Sequence, residues 1–356
     1  MSAITYSGGL SVSEVQAKSK TEKIYKLSSN ENPLGSSEKV IAAIQSAAIS
    51  LDVYPDRDDI RLRSALVNFH GRGLTEQHFV SSVSGIEMIG LVARAFLNAG
   101  DEVIICPPTF GWYVVTAQRI GAELVSVPLD TECFTHNVDA ILAAVTERTR
   151  LIYICNPHNP TGAMLTAAEM EQLVHGIPNH VMIVADEVYH QFVERADFPD
   201  SLSYVLNGKN VIILHSFSKV YGLAGLRLGY AVAKPEICQQ IVGQKRPFQH
   251  SSLALAGGIA AVQDQDHVRK TIALVHEGKH YFYQQLDALG VEYWPSEANF
   301  VMIRPKGDAD RVYQQLLEKG IMTRPTSKNG LPGYLRVTCG LPEANHAFIA
   351  ALTETM

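Results

Sequence analysis

The stretch VIILHSFSKVYGLAGLRLG, residues 211–229, largely decides how this chain can fold. It opens with four apolar residues, which is typical of a buried strand, and continues into a loop rich in glycine and serine. In this loop Lys219 follows Ser216 and Ser218, and Arg227 lies eight positions further on. Because ligands of open α/β sheets bind beyond the carboxyl ends of the strands, we expect these four side chains at a binding site.

The residue types around the lysine suit a phosphate group. The two serine hydroxyls can donate hydrogen bonds, and the planar guanidinium of Arg227 can hold an anion through two parallel ones. A lysine beside a phosphate site suggests a Schiff base with pyridoxal phosphate. Taken alone, a lysine beside serines is more often a solvated surface residue, so the interpretation depends on the rest of the chain.

Two further segments favour the cofactor. NPHNPTG contains Asn159 and DEVY contains Asp186 and Tyr189, and each segment follows an apolar run of five residues. If all three apolar runs are parallel strands, their carboxyl ends bring these residues and Lys219 to one edge of one sheet. An amide, a carboxylate, a phenol and a lysine are the groups that a pyridoxal ring requires.

With these motifs the chain resembles the fold-type I pyridoxal-phosphate aminotransferases, and within them the histidinol-phosphate aminotransferase group, a class-II aminotransferase family. The resemblance runs from about Tyr6 to the C-terminus. It implies ping-pong transamination between a small-molecule amino donor and a 2-oxo acid, with histidinol phosphate and 2-oxoglutarate as the pair. It also implies a homodimer whose subunits share their active sites.

The apolar pattern predicts an α/β fold. Short apolar runs alternate with amphipathic stretches from about residue 36 to 233, which favours a mostly parallel sheet covered by helices on both faces. The resemblance implies a sheet of the seven-stranded type and a smaller α+β domain. We expect an N-terminal arm at 1–35 that joins the small domain, a large cofactor-binding domain at 36–235 and a small domain at 236–356. In the last, residues 253–289 predict a long helical stretch.

Composition narrows the class of protein. The 356 residues carry a net charge of −6 without a basic run, so we expect no nucleic-acid partner. No apolar run approaches the ~20 residues that span a bilayer, and the N-terminus shows no signal peptide. The five cysteines are scattered and the histidines have no ligand spacing, so we expect reduced thiols, no metal site and a cytoplasmic location.

The resemblance implies a role for each residue that would touch the pyridoxal ring. Lys219 forms the covalent link and later moves a proton as general acid and base, which requires a lowered pKa. Asp186 pairs with the pyridinium nitrogen, although one such aspartate could also cap a helix. Tyr189 and Asn159 donate hydrogen bonds to the phenolate oxygen, and Phe110 stacks on the ring.

The phosphate needs further groups. Ser84, Gly85 and Ile86 open a predicted helix, whose N-terminus offers backbone N–H groups and a positive dipole. The family usually has an acidic residue where this chain has Ile86, so only backbone contacts are expected there. Tyr54 matches the family tyrosine that reaches the phosphate of the neighbouring subunit.

Substrate binding is assigned by the same resemblance. Arg324 and Arg336 match two arginines that hold the substrate phosphate or carboxylate, and the guanidinium suits either anion. Tyr6 matches a residue that enters the partner's site, and Asn30 matches one that lines the substrate entrance.

Alternatives remain open at this point. The same residues would serve an aromatic or other amino-acid aminotransferase, a phosphothreonine-type decarboxylase or a cofactor-binding protein without catalysis. Ile86, and Val188 where the group often has alanine, are the departures from the family pattern.

Overall fold

The computed structural model describes residues 9–17, 19 and 21–356. Its strands are β1 Tyr25–Lys26, β2 Phe79–Ser82, β3 Glu102–Ile105, β4 Glu123–Ser126, β5 Thr149–Cys155, β6 Met182–Asp186, β7 Val211–Ser216, β8 Gly229–Val232, β9 Glu292–Trp294, β10 Phe300–Arg304, β11 Ile321–Met322, β12 Arg324–Pro325 and β13 Leu335–Thr338. Its α-helices are α1 Val12–Gln16, α2 Glu38–Ala47, α3 Ile60–His70, α4 Gly85–Phe96, α5 Trp112–Ile120, α6 Val138–Ala143, α7 Ala167–Gly176, α8 Ser201–Leu206, α9 Pro235–Val242, α10 Ser252–Gln263, α11 Gln265–Leu289, α12 Ala309–Glu318 and α13 Pro342–Thr355.

The central sheet has seven strands among the described residues, in the order β2-β8-β7-β6-β5-β3-β4. The run from β7 to β4 is parallel throughout. Its middle strands are rich in valine and isoleucine and buried on both faces, as a sheet covered by helices on both sides requires. The α/β fold with a mostly parallel seven-stranded sheet is therefore confirmed.

Strand β8 departs from the expected parallel pattern. It runs antiparallel to both β7 and β2, and it pairs Gly229 with Ser216 on one side and with Ser82 on the other. Residues 217–228, which connect β7 to β8, contain a short 3-10 turn at Ala224–Leu226 and no α-helix, whereas a parallel crossover usually contains one. This arrangement also brings the end of β2, which the apolar pattern did not predict, to the edge where Lys219 lies.

A second sheet of four antiparallel strands, β12-β13-β10-β9, lies in the C-terminal part of the chain. Strand β1 pairs with β11, so the N-terminal segment joins this part. The helical stretch predicted at 253–289 is two helices, since the chain turns at Asp264 between α10 and α11. Helix α10 packs on α2 and α3, while α11 packs on strands of the second sheet. The division into domains at residue 235 stays a prediction.

In the part of the chain that the structure describes, no helix is both long and apolar enough to cross a membrane.

Candidate active site

A cavity of about 320 Å³ opens at the carboxyl ends of β5, β6 and β7. Three of the residues expected there leave consecutive strands of the sheet, which is why they meet although they are far apart in sequence. The sequence-predicted residues that line the cavity are Asn30, Ser84, Gly85, Ile86, Phe110, Asn159, Asp186, Tyr189, Ser216, Ser218, Lys219, Arg227, Arg324 and Arg336. The role of each stays a prediction.

Lys219 lies just past the end of β7, with its amine in the cavity wall. The Nζ donates a hydrogen bond to the carbonyl oxygen of Ser29 at 3.1 Å and lies 5.7 Å from the centre of the Tyr189 ring. Burial, and then the positive charge of Arg336, lower the pKa of this amine to about 7. A lysine with this pKa is partly neutral near physiological pH, which a nucleophile or general base requires.

Asp186 ends β6 and is buried. The hydroxyl of Tyr113 donates a hydrogen bond to its Oδ2 at 2.5 Å, whereas Oδ1 has no hydrogen-bond partner among the described residues. Burial raises the pKa of this carboxyl to about 6, and the hydrogen bond from Tyr113 acts in the opposite direction. A buried carboxylate oxygen without a partner is costly, so this atom is placed to accept a hydrogen bond from a ligand.

An amide and a guanidinium side chain orient the two donors expected at the ring oxygen. The Nδ2 of Asn30 donates to the Tyr189 hydroxyl at 2.9 Å, so this hydroxyl accepts there and keeps its own proton for another partner. The Nη1 of Arg336 donates to Oδ1 of Asn159 at 2.6 Å, which leaves the Asn159 amide N–H groups as the donors on its other side. Both contacts orient a donor without using its proton.

Backbone groups at the start of α4 form another wall of the cavity. Ser84 is the N-cap, and its Oγ accepts from the Glu87 N–H at 3.1 Å. The N–H groups of Gly85 and Ile86 have no partner within the helix, because they belong to its first turn. A Cβ at Gly229 would lie 2.9 Å from the Gly85 nitrogen, so glycine at 229 lets β8 approach the helix N-terminus closely. This wall can bind an anion.

The hydroxyls and arginine of the loop after β7 lie at the same end. The Ser216 Oγ accepts a hydrogen bond from the Ser218 N–H at 3.0 Å. Arg227 has a φ of 56° and donates through Nη1 to the Ala224 carbonyl oxygen at 3.0 Å. The guanidinium is exposed and borders the cavity.

Two arginines face each other across neighbouring strands. Arg324 on β12 and Arg336 on β13 are direct partners in the antiparallel register, so their side chains lie on the same face. Like charges directly opposite each other destabilise a sheet. An anion bound between them would remove this repulsion, so this part of the cavity suits a phosphate or carboxylate.

One predicted residue of the described part of the chain does not lie in this cavity. Tyr54 is 81% exposed and packs on Phe248 with ring centres 5.1 Å apart, away from the cavity of its own chain. Its expected role in the neighbouring subunit stays a prediction. Tyr6 lies outside the described residues.

Sequence reasoning missed several residues of the site. Cys155, Asn329 and the backbone of Ser29 border the cavity, and Tyr113 lies behind Asp186. For Tyr113 a signal was available, because it follows the predicted stacking residue Phe110 by only three positions, next to the start of a helix. The others depend on loops whose course the sequence pattern does not give.

Glu187, His190 and His215 form a cluster in which Glu187 and His215 are buried and His190 is half-buried. Glu187, His190 and His215 bring one ligand atom each within 4.8 Å of one another, so the expected absence of a metal site stays a prediction. The rings of His190 and His215 are stacked, with centres 4.1 Å apart and an angle of 21°. The nitrogen lone pairs of an imidazole lie in the plane of its ring, so the lone pairs of stacked rings lie in nearly parallel planes and do not point to one metal ion.

The residues of the cavity fit pyridoxal phosphate. The unpartnered Oδ1 of Asp186 suits a protonated ring nitrogen, Lys219 has a lowered pKa, and the start of α4 suits a phosphate. No side chain occupies the space beside Gly85, where an added Cβ would meet nothing within 4 Å. These features lie around one cavity, as a ligand with these groups requires.

Comparisons with known proteins agree with this chemistry. The profile of the family described as aminotransferase class I and II matches residues 22–352. A histidinol-phosphate aminotransferase of Moorella thermoacetica is 39% identical over 352 residues, covering 99% of this chain and 90% of the relative. That of Symbiobacterium thermophilum is 38% identical, covering 99% and 96%.

Solved structures share the fold. The histidinol-phosphate aminotransferase of Sinorhizobium meliloti, in complex with pyridoxal-5'-phosphate, has a TM-score of 0.89 at 24% identity, covering 100% of this chain and 97% of that one. The L-threonine-O-3-phosphate decarboxylase of Porphyromonas gingivalis has a TM-score of 0.80 at 22% identity, covering 93% and 99%. At these identities the structures establish the fold alone. On the family match over nearly its whole length, this chain belongs to the aminotransferase class I and II family, as a pyridoxal-phosphate-dependent aminotransferase.

Proposed function

We propose that this enzyme transfers an amino group between histidinol phosphate and 2-oxoglutarate. The observation that carries the proposal is the direct opposition of Arg324 and Arg336 in the lining of the cavity. Histidinol phosphate has a phosphate and no carboxylate, whereas glutamate has carboxylates, and the guanidinium binds both anions through paired hydrogen bonds. One pair of arginines can therefore serve both half-reactions, and the names of the relatives support this substrate.

The chain's own residues have distinct tasks in this proposal. Pyridoxal phosphate, when bound, supplies an electron sink for the charge left at the substrate carbon. The Asp186 carboxylate accepts a hydrogen bond from the ring nitrogen and stabilises its positive charge. The Lys219 amine moves the proton between the substrate carbon and the cofactor. Its pKa of about 7 leaves the amine partly neutral near neutral pH, as this transfer requires. Tyr189 and Asn159 donate to the ring oxygen, and the start of α4 holds the phosphate.

The homodimer is part of the proposal. Exposed apolar side chains concentrate at residues 49–60, where Ile49 is 84% exposed and Tyr54 81%. A contiguous exposed apolar surface usually marks an interaction site. A second copy of the chain would cover it and would bring Tyr54 to the phosphate of the other subunit.

A cytoplasmic location is also proposed, and the five free cysteines support it.

The test is single-turnover absorbance spectroscopy of the purified protein. Wild-type protein should lose its visible cofactor band with histidinol phosphate faster than with phenylalanine or phosphothreonine, and 2-oxoglutarate should restore the band. Lys219→Ala should bind the cofactor but show no such conversion. A band that is lost faster with phenylalanine would overturn the substrate and keep the reaction, whereas a retained band with every amine would overturn catalysis.

An arginine variant tests the anion site within the same experiment. Arg324→Lys should raise the KM for histidinol phosphate about tenfold or more, since lysine cannot form the paired hydrogen bonds, a loss equivalent to ~1.4 kcal/mol. Arg304→Lys is the matched control, because Arg304 is exposed on β10 and does not border the cavity. Equal KM values for both variants and the wild type would contradict the role of Arg324.

A further inference from the structure

Tyr113 is a buried residue whose only polar atom on the side chain faces the site. It lies in the first turn of α5, its side chain is fully buried, and its hydroxyl donates to Oδ2 of Asp186 at 2.5 Å. A buried tyrosine hydroxyl usually finds some hydrogen-bond partner. Here the partner is the carboxylate that the proposed function assigns to the cofactor ring, which suggests more than a satisfied core residue.

The ring of Tyr113 is held from two sides. Tyr153 stacks on it with ring centres 4.5 Å apart and an angle of 10°. Phe110 meets it edge to face, with centres 5.7 Å apart and an angle of 83°. Such contacts fix the plane of the ring, so the hydroxyl has little freedom to leave the carboxylate. Phe110, which borders the cavity and precedes α5, thus contacts the ring of the donor behind the carboxylate.

The hydrogen bond has a defined electrostatic effect. Burial raises the pKa of the Asp186 carboxyl, and donation from Tyr113 stabilises the charged form and opposes this rise. Burial and the Asp186 charge raise the pKa of the Tyr113 hydroxyl well above its usual value, so it stays protonated and remains a donor. Because Tyr113 occupies Oδ2, the unpartnered Oδ1 is the atom left for a ligand.

We propose that Tyr113 is a positioning residue that keeps Asp186 ionised and turned toward the cofactor, and thereby sets the proton affinity of the cofactor's ring nitrogen. This inference rests on the proposed function, in which Asp186 pairs with that nitrogen. Without the donor, the Asp186 carboxylate would be more basic and would compete for the proton of the ring nitrogen. The bound cofactor would then withdraw electrons less strongly, and the pH midpoint of its visible band would rise.

Tyr113→Phe and Tyr153→Phe form a matched pair of variants. Each removes one buried hydroxyl from one of two stacked rings, but the Tyr153 hydroxyl makes no hydrogen bond to Asp186. In the holoenzyme, Tyr113→Phe should raise the pH midpoint of the visible cofactor band by about half a pH unit or more. Tyr153→Phe should leave the midpoint unchanged.

A second substitution keeps the test independent of folding. Incorporation of 3-fluorotyrosine at position 113 retains the ring and makes the hydroxyl a stronger donor, so the midpoint should move to lower pH. Identical midpoints for the wild type, Tyr113→Phe and the fluorinated protein would overturn the inference, as would equal shifts in Tyr113→Phe and Tyr153→Phe.

Asp186→Asn separates this inference from the proposed function. If Asp186→Asn moves the midpoint and Tyr113→Phe does not, only the role of Tyr113 fails. If neither substitution moves it, the pairing of Asp186 with the cofactor fails, and the inference fails with it.

Discussion

At the scale of single residues, the lowered pKa of Lys219 has a measurable consequence. Its amine is neutral above about pH 7 and charged below it, because burial and the nearby Arg336 disfavour the ammonium form. We expect the rate at which cofactor-free protein captures pyridoxal phosphate to rise with pH and to level off above about 8. Stopped-flow absorbance between pH 5.5 and 9.5 measures this rate.

The reaction of the same aldehyde with a simple alkylamine is the control, since an amine with an ordinary pKa of about 10.4 should react about tenfold faster with each pH unit over this range. A protein rate that continues to rise tenfold per pH unit up to pH 9.5 would mean that the pKa of Lys219 is near its ordinary value. That result would contradict the expected environment of the amine.

At the scale of elements, the loop after β7 packs closely against the N-terminal segment at Gly222. This glycine has a φ of 69°, and a Cβ there would lie 2.1 Å from the carbonyl oxygen of Gly35. The Ser36 hydroxyl also donates to the Gly222 carbonyl oxygen at 2.9 Å. The close approach holds the segment that contains Ser29 beside the loop that carries Lys219.

Gly222→Ala should therefore lower the free energy of unfolding by about 2 kcal/mol or more, because both the backbone conformation and the contact with Gly35 oppose a side chain. Gly225→Ala is the matched control in the same loop, since a Cβ there would meet nothing within 4 Å and its φ is not positive. It should change stability by less than about 1 kcal/mol. Urea unfolding followed by circular dichroism measures both, and equal losses would contradict this account.

At the scale of the whole molecule, the apolar surface at residues 49–60 predicts association of two chains. Ile49→Asp places a charge in that surface and should shift the protein from dimer to monomer, with loss of bound cofactor if Tyr54 serves the other subunit. Analytical ultracentrifugation and the visible absorbance report the two effects. Leu341→Asp is the control, because Leu341 is an exposed apolar residue that precedes α13, outside residues 49–60. A dimer that survives Ile49→Asp would place the interface elsewhere.

The sequence alone determined the α/β class and the residues at three strand ends. Asn159, Asp186 and Lys219 could be found because an apolar run followed by a polar turn is a local pattern, and parallel strands end at a common edge. The same local reasoning could not give strand β2 or the antiparallel direction of β8, since strand direction depends on how the chain returns to the sheet.

Only the tertiary structure decided how the chemistry is arranged around that edge. The opposition of Arg324 and Arg336 depends on the register of two strands, and the hydrogen bond from Tyr113 to Asp186 joins residues 73 positions apart. Neither follows from propensity or periodicity, because these describe neighbours along the chain. The donors, charges and burial that set the pKa values of Asp186 and Lys219 come from segments that meet only when the chain is packed.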